Sequence, residues 1–327
     1  MTIFDTWEGT LIFFVCLGIG FLILSFFLSF FLVAHILFTM HLKRTRKDKW
    51  TRECSDPDPE QVRMYEEGLE WSRQHAAALR ELHMVNEGMN LYAEYYDFGY
   101  DRAVIIVPGR TEGLRYGYFF AKPYADSGYN VLTIDQRAHG ESDGLYNTLG
   151  FEEHKDVLSW AGLLHEEYGV QSIVLHGICI GASCSLFAML ADYCPDYMAG
   201  MVAEGMYPNF RESFKNHMIE LKKPIFPCLQ LVDMWMRVYT GHSMSHGPID
   251  VIENYKKPLL MLHSKEDAYS LPTMAQVLYD KCGAEKKELI WFEKGAHSRL
   301  RITDPDRYDG AIAAFLAKNF DKETIQE

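Results

Sequence analysis

Apolar and polar positions divide the chain into one unbroken hydrophobic run and a long tract where short apolar stretches alternate with amphipathic ones. From Gly9 to Leu42 there is no Asp, Glu, Lys or Arg, and residues 11–40 are dominated by Leu, Ile, Phe and Val. About 20 such residues let a helix cross the hydrocarbon of a bilayer, so residues 10–40 read as a transmembrane helix within an anchor unit, 1–42. A cleaved leader would put basic residues ahead of an apolar core of about 7–15 residues and end in a small-residue site. Here Asp5 and Glu8 lead, the run is longer, and no A-x-A follows. Lys43, Arg44, Arg46, Lys47 and Lys49 come directly after it, and such a basic flank marks the cytoplasmic side. The expected topology is single-pass in the cell membrane, with the N-terminus outside and the remainder cytoplasmic. The same bases either hold the chain at an anionic leaflet or only set this orientation.

Beyond the collar, residues 50–60 carry Pro57 and Pro59 among acids and read as a linker. Residues 61–78 have helical composition, so 43–78 forms a basic juxtamembrane linker and helix, and 79–327 the main domain. Runs at 81–84 and 89–96 flank Asn86-Glu87-Gly88, a hairpin turn. The continuous apolar run 103–107 suits a strand buried on both faces. Helix-like 117–127 precedes a strand at 129–134, helix 151–168 a strand at 172–175, and helix 181–193 a strand at 198–203. Strands at 258–263 and 288–292 are separated by a helix at 273–282, and a helix over 306–320 closes the chain. Strands alternating with helices of this length predict an α/β fold with a doubly wound, mostly parallel sheet. No strand can be placed between 207 and 249, where Phe210, Phe214, Met218, Trp235 and Met236 give helical, apolar stretches. An insertion after a strand's C-terminal end lies where such sheets bind ligands, so about 207–250 reads as a helical lid; the competing reading is a helix pair that completes the core.

Composition narrows the class. With 327 residues, 48% apolar and 24% charged, the chain has ample material for a core. A formal net charge of −13 is the wrong sign for neutralising phosphates, so no nucleic-acid partner is expected. The seven cysteines are odd in number and scattered, without a CxxC pair, which suggests neither a disulfide framework nor a zinc site. No metal-ligand spacing such as HExxH occurs, and no metal or other cofactor is expected. The oligomeric state is left open.

Candidate chemistry gathers at strand ends. The strand at 172–175 runs into His176-Gly177-Ile178-Cys179-Ile180-Gly181, and a helix follows. This is a Gly-x-nucleophile-x-Gly elbow with cysteine where serine is usual. Gly177 and Gly181 serve the tight turn, and the helix N-terminus behind Cys179 favours an anion. Asp267 follows the next-to-last strand and His297 the last, giving the order nucleophile, acid, base; Glu266 is the alternative acid. An oxyanion would be met by the amides of Ile180 and of Arg110, the latter in the loop Pro108-Gly109-Arg110-Thr111-Glu112-Gly113. The Arg110 side chain either holds an anionic group or pairs with a surface acid. Among the other histidines, His139, His176 and His263 read as structural, while His41 and His217 show no constellation.

With these motifs in order, residues 80–320 resemble the α/β-hydrolases, in the serine aminopeptidase and monoacylglycerol lipase-like branch. The resemblance rests on Pro108-Gly109-Arg110, on Asp135-Gln136-Arg137-Ala138-His139-Gly140 after the following strand, on the elbow, and on the Asp267 and His297 loops. Pro-Gly-Arg is similar to bacterial lysophospholipases, which implies a lipid substrate, and the 135–140 turn is architectural in that family. The departure is Cys179, which forms a thioester intermediate. The leading expectation is a membrane-tethered hydrolase of esters or thioesters, with a small-molecule or lipid acyl substrate and Cys179, Asp267 and His297 as catalytic residues. The alternatives are an acyltransferase with the same triad and an inactive membrane-anchored binding or redox-sensing protein.

Overall fold

The computed structural model describes residues 6–47, 49–51, 53–54 and 58–321. Asp5 and Pro57, used above for the leader and the linker, lie outside the described residues. Helices are α1 (Trp7–Leu42), α2 (Pro59–Gln74), α3 (Lys122–Asp126), α4 (Glu153–Tyr168), α5 (Ile180–Leu190), α6 (Phe210–Glu220), α7 (Cys228–Thr240), α8 (Pro248–Val251), α9 (Pro272–Lys281), α10 (Leu300–Thr303) and α11 (Pro305–Phe320). Strands are β1 (Leu79–Asn86), β2 (Met89–Tyr96), β3 (Arg102–Val107), β4 (Asn130–Ile134), β5 (Ser172–Ile178), β6 (Met198–Glu204), β7 (Leu259–Ser264) and β8 (Lys287–Phe292). They form one sheet in the order β1-β2-β4-β3-β5-β6-β7-β8. The β1/β2 and β2/β4 pairings are antiparallel and the others parallel, so the mostly parallel, doubly wound sheet is as expected.

The alternation of side chains along β3 explains the layering. Ala103, Ile105 and Val107 enter a core with Val157, Trp160 and Leu164 of α4 and Leu186 of α5. Val104 and Ile106 face the other way, toward Met64 and Trp71 of α2, Tyr124 of α3 and Phe315 of α11. Both faces of a central parallel strand must be covered, and an uninterrupted apolar run meets that need. The packing draws α2, expected as part of the juxtamembrane segment, into the core of the main domain.

Three local departures have physical causes. The expected helix 117–127 is a 3-10 turn, Leu114–Phe120, followed by α3. Pro123, at the start of α3, lacks an N–H and cannot sit inside a continuous helix. Helix α2 starts two residues early, because Asp58 caps it by accepting from Glu60 N at 2.8 Å and Pro59 fits the first turn. At the hairpin, Glu87 and Gly88 both have positive φ, 48° and 77°, the geometry of a two-residue turn.

As expected, the insertion carries no strand; it is the pair α6–α7. Helix α7 lies along the C-terminal part of α1. Trp235 Nε1 donates to Phe31 O at 3.2 Å, His35 Nε2 lies 3.1 Å from Tyr239 Oη, and Phe38 stacks on Tyr239 with centroids 5.2 Å apart. Positions 31, 35 and 38 advance as 235 and 239 do, so the two helices run parallel. Ala34, Phe38 and Leu42 are buried there with Met218, Leu229, Val232 and Met236. Residues 11–29 of α1, in contrast, are exposed throughout, a length of about 28 Å at 1.5 Å per residue. That matches the hydrocarbon thickness of a bilayer, and α1 is long and apolar enough to cross one.

The basic collar does more than present charge. Arg44 donates to Gly140 O at 2.6 Å and Ser142 O at 3.0 Å, and Lys43 bridges to Tyr146. The Lys49 ammonium donates to the carbonyls of Thr39 and Lys43, where the helix dipole favours a cation. Lys43 and Arg44 thus fasten the end of α1 to the domain, and Lys49 caps that end.

Arg137 forms a bidentate pair with Asp156, Nε to Oδ2 at 2.7 Å and Nη2 to Oδ1 at 2.8 Å, both buried. Removing Asp156 leaves Arg137 with Glu87 at 3.2 Å and Glu152 at 3.9 Å but without its bidentate partner, so Asp156→Ala is expected to cost about 1–3 kcal/mol, read as a lowered midpoint in chemical denaturation.

Candidate active site

Strand β5 ends at Ile178 and α5 begins at Ile180, so the chain reverses within one residue. That residue, Cys179, takes φ 55° and ψ −111°, a conformation that non-glycine residues adopt only when their surroundings force it. Its N–H donates to Glu204 O at 2.8 Å and its carbonyl accepts from Ala182 N at 3.1 Å. A Cβ at Gly177 would lie 2.4 Å from Ala182 Cα, and one at Gly181 2.0 Å from Val107 O. Neither position tolerates a side chain. Ile180 opens α5, and the first N–H groups of a helix lack intrahelical acceptors.

Asp267 and His297 arrive from the ends of β7 and β8. His297 Nδ1 donates to Asp267 Oδ2 at 2.7 Å, while Oδ1 accepts from Tyr269 N at 2.9 Å and Ser270 N at 2.7 Å. Burial opposes the Asp267 charge, but His297 and these hydrogen bonds outweigh it and hold the carboxyl below its usual range. Burial likewise opposes a charged His297 ring, yet Asp267 and then Cys179, each by charge and hydrogen bonding, push it well above the ordinary histidine value. Gly205 has φ +61°, and a Cβ there would stand 3.0 Å from His297 Cε1. Exposed Glu266 accepts from Gly295 N at 3.2 Å, bracing the loop that carries His297.

The loop after β3 is fixed from beneath. Gln136 Nε2 donates to Pro108 O at 2.7 Å, His139 Nε2 lies 2.6 Å from Arg110 O, and Leu114 N donates to Asp135 Oδ1 at 2.8 Å. The 135–140 turn thus acts as a support. Gly109 N is taken by Glu112 Oε2 at 3.0 Å, whereas the Arg110 amide has no acceptor among the described residues. The Arg110 side chain pairs with no acid among the described residues, unlike one of the two expectations; its Nη1 donates to His41 O at 3.1 Å.

Cys179, His297 and Arg110 line a cleft of about 420 Å³, with Phe210, Phe214 and His217 of α6 on its far wall. His217 and His41, assigned no role from sequence, meet here: His41 packs edge-on against Phe214, with its centroid 6.2 Å from that of His217. The signal for α6 was the spacing 210, 214, 217, one face of a helix. Nothing local marks His41, whose position depends on α1 docking.

Beneath Cys179 and His297, Glu204 is fully buried, accepting from Tyr308 Oη and, at 3.3 Å, from Leu300 N. Tyr308 Oη also lies 3.1 Å from His176 Nε2. Burial pushes the Glu204 carboxyl up to about 7 and His176 down to about 3.

This fold and arrangement define the α/β-hydrolase class, and the chain has that fold: residues 102–224 match the family model described as alpha/beta hydrolase fold. The Pyrococcus furiosus esterase Pf2001 superposes with a TM-score of 0.65 at 20% identity, over 76% of this chain and 94% of its own. The uncharacterized protein YqkD of Bacillus subtilis is 28% identical over 216 residues, 65% of this chain and 70% of its own. The Danio rerio lysophosphatidylserine lipase ABHD12 is 23% identical over 203 residues, 59% of this chain and 51% of its own. The matched region therefore spans about half of that zebrafish protein.

Because the folded pKa of Glu204, about 7, exceeds its ordinary 4.5, folding takes up a proton there. This stabilisation, up to roughly 3 kcal/mol, is fully present below the ordinary value and is lost as pH rises to about 7. Glu204→Gln is expected to flatten the fall in melting temperature between pH 5 and pH 8.

Proposed function

We propose that the chain is a membrane-tethered acyl hydrolase that cleaves esters or thioesters through Cys179, His297 and Asp267. The observation that carries this reading is the pairing of His297 with Asp267 beside a cysteine held at positive φ on the elbow. In the reaction, His297 already holds the Cys179 proton on Nε2, its imidazolium stabilised by Asp267, and Cys179 Sγ attacks the substrate carbonyl carbon. The carbonyl oxygen gains the negative charge, which the Arg110 and Ile180 amides receive. Collapse breaks the bond to the leaving alcohol or thiol, which takes the proton from His297, and leaves an acyl thioester on Cys179. Water, deprotonated by His297, attacks that thioester, releasing the carboxylic acid and the Cys179 thiol.

Membrane tethering by α1 supports an apolar acyl or lipid-like substrate. The helix packs along α7, and α6 of the same insertion forms one wall of the cleft, so the cleft stands at the membrane surface. In this reading α6–α7 acts as the lid, and the basic residues after Leu42 keep the domain on the cytoplasmic side. The names of two relatives, an esterase and a lysophosphatidylserine lipase, agree with a lipid ester and with the lipase-like branch.

Brief incubation of the detergent-solubilised full chain with activated acyl esters is expected to leave an acyl mass on the peptide containing Cys179. Cys179→Ala should abolish adduct and turnover together, and Asp267→Asn should lower kcat by roughly 10³- to 10⁴-fold with the fold intact. Absence of adduct and turnover while the Cys179 thiol is accessible overturns the reading in favour of a binding protein. Recovery of the acyl group on an added alcohol rather than water makes the chain an acyltransferase.

A further inference from the structure

Arg110 brings a full positive charge to the edge of the cleft, and no carboxylate among the described residues meets it. Among the described residues it forms no ion pair, and its one side-chain hydrogen bond runs from Nη1 to His41 O. A guanidinium has five N–H donors arranged as a fork, so most of that fork remains uncommitted. Its Cζ stands 5.9 Å from the centre of the Phe210 ring, and the residue lines the same cleft as Cys179. The two acids among the described residues of the cleft are committed elsewhere. Glu112 spends its oxygens on Gly109 N and Gln61 Nε2, at 3.0 and 3.2 Å. Asp58 caps α2 and lies 3.7 Å from Arg299.

The charge of Arg110 is felt by the bases around it, which it drives toward their neutral forms. Burial and then the Arg110 charge lower the Lys49 ammonium to about 8, and the same two causes lower His217. Burial also pushes the guanidinium itself below its ordinary value. The C-terminal end of α1 offers His41 O, but a helix terminus supplies only about half a charge. A partly buried cation that finds no carboxylate among the described residues is costly unless something else completes it. A planar fork beside a nucleophile matches a carboxylate or a phosphate, which it can grip through two parallel bonds.

We infer that Arg110 is an anion subsite of this cleft, and that the acyl substrate carries a phosphate or carboxylate which seats on its guanidinium while the ester lies at Cys179. This rests on the hydrolase reading above for the position of the ester, but not for the binding of the anion. His217, one turn beyond Phe214 on α6, faces the same group and supplies a second donor. The subsite exists only when α1 is docked, because the His41 carbonyl orients the fork.

The test uses the full chain in detergent and two substrates with the same acyl chain, a monoacylglycerol and a 1-acylglycerol 3-phosphate. The wild type is expected to favour the phosphate in kcat/KM by tenfold or more. Arg110→Gln should bring that ratio close to one, and Arg110→Lys should keep part of it; comparing ratios removes any loss common to both substrates. Equal losses on the two substrates overturn the inference and make Arg110 a partner of the Cys179 thiol. An unchanged ratio with a lowered melting temperature also overturns it and makes Arg110 a cap for α1. Binding is read separately as protection of Cys179 from iodoacetamide by dodecyl phosphate relative to dodecanol. Protection that disappears in Arg110→Gln supports the subsite even where neither substrate turns over, and the hydrolase reading alone then fails. Turnover of both substrates with no preference for dodecyl phosphate overturns the subsite and leaves the hydrolase reading standing. Equal protection by inorganic phosphate assigns the subsite to free phosphate and overturns the lipid headgroup as its source.

Discussion

At Gly181 the first turn of α5 approaches β3 so closely that a single added carbon would lie 2.0 Å from the Val107 carbonyl oxygen. This contact fixes where the strand–helix reversal can occur, and the reversal forces Cys179 into its positive-φ conformation. The strain is held by the sheet on one side, through the hydrogen bond from Cys179 N to Glu204 O, and by the α5 helix on the other. Packing of β3, β5 and β6 at the centre of the sheet therefore determines where the sulfur stands. The acid and base need only reach it from the ends of β7 and β8.

A second dependency runs from α1 to the cleft. The part of α1 that does not stay exposed is buried against α7 and the end of α6, and its terminal carbonyl at His41 holds the Arg110 side chain. The Arg110 backbone belongs to the loop that would receive the oxyanion. Helix α1, insertion and cleft thus share contacts, and a change in how α1 sits would be felt at the loop after β3. The bases Lys43 and Arg44 tighten the same joint from outside, which gives them a mechanical part beside any electrostatic one.

Electrostatics at the site divide by depth. His297, at the cleft, is raised because Asp267 and Cys179 outweigh its burial. His176, beneath it, has no carboxylate in direct contact, and burial drives it down to about 3. The same burial raises Glu204 toward neutrality, and the hydrogen-bonded chain of Glu204, Tyr308 and His176 lies beneath Cys179 and His297.

The chain by itself determined the apolar run of α1, the alternation that produced the sheet, and the elbow with Asp267 and His297 in their order. These are local properties: a run of buried side chains, a turn that admits only glycine, and a residue placed just beyond a strand. The 3-10 turn before Pro123 and the capped start of α2 were equally local and readable from Pro123 and from Asp58-Pro59. Only the tertiary structure decided which acid met His297, because Asp267 and Glu266 are neighbours in sequence and differ in the direction their side chains leave the loop. It alone brought His41, Arg110 and His217 together from three distant segments. It also left Arg110 without an acid among the described residues, since an ion pair depends on distances between side chains that no sequence spacing encodes.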